Sequence, residues 1–114
     1  MNYQQVPAHM QDTSDREKIE LYFQCKNLKD MDTFSKSDPQ LVVSMSMPAF
    51  RQNAAQWNEI WKSEVIDNNL NPIFSKTLEM DYIFERTQKL RIEVRDIDNN
   101  SFDLIGSAEF EIGE

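Results

Sequence analysis

A chain of 114 residues has room for one domain, and its 39% hydrophobic and 11% aromatic content supplies a core that a disordered chain lacks. The net charge of −8 excludes a constitutive nucleic-acid binder, which needs a basic face, and steady attraction to an anionic membrane unless the charge is inverted locally. No apolar run approaches the roughly 18 residues of a spanning helix, and neither a signal-peptide segment nor a glycine after Met1 is present. The single cysteine, Cys25, excludes an intrachain disulfide and fits a reducing compartment, so a cytoplasmic location is expected.

Residues 1–17 read as a flexible polar leader with Pro7, the lone His9 and most of a charged run, and the folded domain is expected over 18–114. From Ile19 the pattern becomes alternating, with Ile19, Leu21, Phe23 and Cys25 facing inward and Glu20, Tyr22, Gln24 and Lys26 outward. Leu41, Val43, Met45 and Met47 repeat the alternation behind Pro39. Trp57, Trp61 and Val65 share a parity in the next segment, with Ile60 and Ile66 on its other face. Leu78 and Met80 open a fourth strand. Leu90, Ile92 and Val94 alternate against Arg91, Glu93 and Arg95, and Ala108, Phe110 and Ile112 against Glu109 and Glu111. Six strands separated by the breaks KDMD, DNNLNP and DIDNNS, with no long helical period, predict an all-β antiparallel fold, a sandwich.

Two acidic segments carry the chemistry. DTFSKSDP (residues 32–39) and RDIDNNSFDLIG (95–106) each follow a strand and together hold five carboxylates: Asp32, Asp38, Asp96, Asp98 and Asp103. Carboxylates crowded on loops repel one another unless a hard cation sits among them. Calcium fits this set, because it accepts six to eight oxygen ligands in flexible geometry, whereas zinc would need His9 and Cys25, which lie elsewhere. For either segment alone, turn formation by solvated aspartates is the simpler reading.

DTFSKSDP, NLNPIFSK (69–76) and VRDIDNNSFDLIG (94–106) resemble, in order and spacing, the three signatures of a C2 domain. The run SKSDP, the segment QWNEIWKSEVI leading into NPIFSK, and YIFERTQKLRIEVRDID (82–98) are most similar to the first C2 domain of copines. The resemblance spans residues 19–114. It implies an antiparallel C2-type β-sandwich whose loops hold Ca2+ at one end, with Asp32 and Asp38 from the first loop and Asp96, Asp98 and Asp103 from the third. Ser101 matches a position that sometimes adds an oxygen, and the third loop is one residue shorter than the commonest family spacing. The function implied is calcium-dependent binding of anionic phospholipid membrane, with reversible recruitment from the cytoplasm. Phe34 and Phe102 inside the acidic segments are candidate membrane contacts, with Lys36 as a candidate phosphate contact.

Competing readings are weaker. DIDNN resembles the start of an EF-hand loop, but Ser101 stands where the turn glycine belongs and Ser107 where the closing glutamate belongs. No nucleophile–histidine pair or glycine-rich phosphate loop supports an enzyme. A calcium-independent protein-interaction module is the alternative, since residues 56–66 carry only Lys62 as a base. A C2 sandwich has eight strands and six are read here, so a truncated domain lacking its C-terminal strands is expected, with an open edge beside the first strand.

Overall fold

The computed structural model describes residues 15–31, 36–47 and 56–112. Six antiparallel strands make up the described elements: β1 (Arg16–Leu21), β2 (Pro39–Met47), β3 (Gln56–Lys62), β4 (Leu78–Ile83), β5 (Gln88–Asp98) and β6 (Ser101–Ile112). They form two sheets, one of β1 and β4 and one in the order β3-β2-β5-β6. No helix occurs among the described residues.

Alternation decides which side chains meet. In the small sheet Ile19 lies opposite Met80 and Leu21 opposite Leu78, so one face is apolar. In the large sheet Val43 pairs with Ile92 and Met45 with Leu90. The two faces close on a core of Val43, Leu78 and Leu90, against which Leu21, Phe23, Met45, Trp61, Met80, Ile92 and Ile112 pack. Gln88 joins the layers by side-chain bonds. Its Oε1 accepts the Ile83 N–H at 2.8 Å and its Nε2 donates to the Asp81 carbonyl at 2.9 Å.

Three boundaries differ from the sequence reading. β1 begins at Arg16, inside the stretch read as leader, and gives way after Leu21 to looser pairing. There the Phe23 carbonyl accepts the Phe74 N–H at 3.1 Å and the Cys25 N–H reaches the Pro72 carbonyl at 2.9 Å. β6 runs back to Ser101, well before Ala108. The DIDNNS break therefore shrinks to a two-residue turn, Asn99 and Asn100, between the paired Asp98 and Ser101. Asn99 makes this possible by adopting φ 53°, a left-handed conformation that asparagine tolerates better than most residues.

A bulge corrects the reading of the tryptophans. The β2–β3 register shifts between Val43 and Ser44, which leaves Ile60 as the extra residue between Trp61, opposite Val43, and Glu59, opposite Ser44. One inserted residue reverses the facing of everything before it. Trp61 therefore joins the core, 5.1 Å from the Phe23 ring, while Trp57 lies opposite Ser46 on the outer face. There the Arg91 guanidinium stacks 4.1 Å above the Trp57 ring and also binds Glu109 at 3.0 Å.

Candidate metal centre

The apolar stripe of β5, Leu90, Ile92 and Val94, continues at the same parity into Asp96 and Asp98. The core face thus turns acidic where the sandwich ends. The β5–β6 register sets Asp96 directly opposite Asp103 and Asp98 opposite Ser101. Directly opposed residues in an antiparallel pair share a face, as do alternate residues in one strand. Asp96, Asp98, Ser101 and Asp103 accordingly occupy one face of the hairpin tip. Two of the three carboxylates expected on a loop leave from β5 and the third from β6, because the tight turn keeps the ladder intact to its end.

The first acidic segment is drawn to the same place. Asp96 is 1% exposed, and its Oδ1 accepts the Asp38 N–H at 2.9 Å. The Asp38 carbonyl accepts the Ile97 N–H at 3.0 Å, and Asp38 Oδ1 accepts the Asn68 N–H at 2.7 Å. Asn68 has φ 51°, so the 66–72 turn presents its amide to that carboxylate. Asp98 and Asp103 are exposed. Ser101 Oγ donates to the Asp98 carbonyl at 3.2 Å and steadies the turn. Asp32 and Phe34 lie outside the described residues.

The donors are carboxylate and hydroxyl oxygens, the ligand type a hard cation takes. Asp38 and Asp96 each accept a backbone amide through one carboxylate oxygen. No group of three histidine, cysteine or acidic side chains is gathered to metal-holding distance among the described residues. What the fold supplies there is a shared face and a shared end.

Phe102 is on the opposite face of the hairpin from the aspartates. It lies opposite Ile97 and is 46% exposed. The Arg95 guanidinium sits 4.1 Å above its ring and donates to Glu93 Oε1 at 2.9 and 2.7 Å. Lys36, within the first acidic segment, is exposed. The tip therefore has an acidic face and an aromatic–cationic face, a division that the bare sequence, read as a loop, did not convey.

Two supporting residues escaped the sequence reading. Ser37 is fully buried: its Oγ accepts the Met31 N–H at 2.9 Å, and its carbonyl accepts the Asn69 N–H at 3.0 Å. It ties the 29–31 and 66–72 segments to the base of the site. Glu64 Oε2 accepts both the N–H (2.7 Å) and the Oγ (2.8 Å) of Ser75, and Oε1 accepts the Lys76 N–H at 3.3 Å. Partial desolvation pushes the Glu64 carboxyl up, but these bonds outweigh it and hold the group down at about 2. A serine between Lys36 and Asp38 gives no periodic signal, and Glu64 lies beyond the end of its strand. Burial pushes the Cys25 thiol up, as for an unreactive packing residue.

This arrangement, a two-sheet sandwich with acidic segments meeting at one end, is that of a C2 domain. The C2 domain family model matches residues 21–114, and the chain belongs to that family. Within it, the chain is 49% identical over 98 residues to Copine-E of Dictyostelium discoideum, covering 84% of this chain and 17% of that protein. It is 42% identical over 91 residues to Copine-A of the same organism, covering 80% and 14%. The chain thus spans a small part of the length of these curated relatives. Of solved structures, BON1-C2B superposes with a TM-score of 0.65 at 32% identity, over 87% of this chain and 66% of that one. The calcium-bound pair of C2 domains from Extended-Synaptotagmin 2 superposes with a TM-score of 0.60 at 24% identity, over 85% and 33%. That likeness speaks to the fold. C2 domains of these kinds often bind Ca2+ and phospholipid, and the family is generally a binding module. No helix among the described residues is long and apolar enough to cross a membrane.

Proposed function

We propose that this C2 domain binds anionic phospholipid membrane in a calcium-dependent manner, with Ca2+ held between the two acidic segments. Asp38, Asp96, Asp98 and Asp103 would be the ligands, with Asp32 completing the set and Ser101 as an additional oxygen. The carrying observation is the common face of Asp96, Asp98, Ser101 and Asp103 together with the bond from the Asp38 amide to Asp96. Five aspartates carry a formal −5, which two calcium ions bring to −1 and three to +1. The end of the sandwich then changes from repelling anionic lipid to admitting it, and an open position on the ion takes a lipid phosphate oxygen. Phe102 and Phe34 would enter the interface and Lys36 would meet a phosphate, giving reversible recruitment from the cytoplasm to a membrane surface.

The test is co-sedimentation with phosphatidylserine vesicles in calcium or chelator, with Asp98→Asn and Asp103→Asn as variants because both side chains are exposed. Calcium-dependent pelleting that disappears in the folded variants is expected. Pelleting that is absent, or indifferent to calcium, would refute the proposal.

One observation favours a calcium-independent protein-interaction role. Asp38 and Asp96 are already bonded to backbone amides, so the site's end is ordered by the chain itself. Calorimetric titration with calcium alone separates the readings, since an interaction module gives no heat of ion binding.

A further inference from the structure

A second bulge sorts the side chains of the β5–β6 hairpin tip. From Ile112 back to Gly106 the even-numbered residues of β6 share the core face, with Phe110 opposite Leu90 and Ala108 opposite Ile92. The register then steps from Val94–Gly106 to Arg95–Leu104 and leaves Ile105 as the extra residue. One inserted residue exchanges the two faces. Asp103 is thereby delivered to the acidic face, and Phe102 and Leu104 turn to the outer face of the large sheet.

Those two side chains gain no core by it. Phe102 is 46% and Leu104 49% exposed. They stand two residues apart on β6, opposite Ile97 and Arg95, so that Ile97, Phe102, Arg95 and Leu104 form one block on the outer face. The cation in this block is seated among apolar groups. Its guanidinium lies 4.1 Å above the Phe102 ring and bonds one oxygen of Glu93 through Nε and Nη2. Glu93, opposite Ser107, is further from the tip along β5, so the cation is presented ahead of the anion.

The block has the reach of a lipid interface. Leu104 follows Ser101 by three residues, about 10 Å of strand. An interfacial apolar face sinks about 5–10 Å into the boundary between headgroups and acyl chains. Contact made end-on seats Phe102 and leaves Leu104 at the limit of that depth, whereas leaning onto the outer face seats both. An arginine stem laid along such a surface carries its charge to headgroup level, where a guanidinium binds phosphate in a fork of parallel bonds.

We propose that the domain docks tilted onto the outer face of the β5–β6 tip, with Leu104 beside Phe102 in the apolar interface and Arg95 on a lipid phosphate. This rests on the calcium-dependent membrane reading above and adds its orientation. The experiment is co-sedimentation of the full chain with phosphatidylserine vesicles in calcium, for wild type, Leu104→Gln and Arg95→Gln, beside a calorimetric calcium titration of each without lipid. Each variant is expected to bind vesicles about tenfold or more weakly, while its calcium titration and its Tm in chelator match wild type. Leu104→Trp adds a readout that does not depend on affinity. Its added indole is expected to be quenched by vesicles with brominated acyl chains in calcium and not in chelator. Wild type that ignores the vesicles removes the underlying reading and this proposal with it. Wild type that pellets with calcium while either glutamine variant binds as tightly, or while the added indole goes unquenched, leaves that reading standing and overturns the tilted pose. A variant whose vesicle binding falls only in step with its calcium titration overturns it as well.

Discussion

Glu64 offers a direct check on how the loops below the site are held. Its carboxylate gathers two donors from Ser75 and one from Lys76, so Glu64→Gln keeps the shape while removing the charge and one acceptor oxygen. A carboxyl lowered from 4.5 to about 2 corresponds to roughly 3 kcal/mol before solvent screening. Glu64 is at the surface, where water weakens such bonds, so a loss of about 1–1.5 kcal/mol is expected. That corresponds to a Tm lower by about 4–8 °C at neutral pH. The folded carboxyl ionises more readily than the unfolded one. Its contribution is therefore complete above 4.5 and disappears as pH falls from 4.5 toward about 2. Urea denaturation followed by circular dichroism, on wild type and variant at several pH values across that window, gives both quantities. The stability gap should be full near neutrality and narrow steadily below pH 4.5. A gap that is absent at neutral pH, or constant with pH, refutes the assignment.

Ser37→Ala leaves the Met31 amide without its buried acceptor and should cost about 1–3 kcal/mol, read from the urea midpoint. Leu90→Ala opens a cavity at the centre of the core and should cost about 2–5 kcal/mol; a value below 1 would mean that the two sheets do not meet there. Asp98→Asn should weaken calcium binding in a calorimetric titration without lowering the Tm in chelator, since the side chain is exposed. Asp96→Ala should lower both, because it also strips the Asp38 amide of its partner, for about 1–3 kcal/mol.

Much of the fold was legible because alternation is a strong signal. Leu41, Val43, Met45 and Leu90, Ile92, Val94 show their facing without help, and six strands follow from such runs and the breaks between them. Alternation fails wherever one residue is inserted. Trp57 and Trp61 share a parity in the sequence, yet the bulge at Ile60 sends one to the core and the other to the outer face, under Arg91. The sequence singles out the acidic residues of the candidate site but does not show how the described ones are disposed. Aspartates and asparagines in DIDNNS read as loop, whereas the left-handed Asn99 needs only two residues to turn. Ser37 and Glu64 could not be found from pattern, because their importance lies in amides brought to them by distant segments.

The bulge at Ile60 also bears on how this domain can change by descent. A substitution alters one side chain; loss of Ile60 would rotate the whole strand before it, carrying Trp57 inward and leaving Arg91 without its aromatic seat. One codon in an edge strand thus decides which indole lies on the outer face. A relative lacking this residue, if aligned without a gap there, would be assigned the wrong surface, and a comparison of outer-face chemistry with it would begin one residue out of phase.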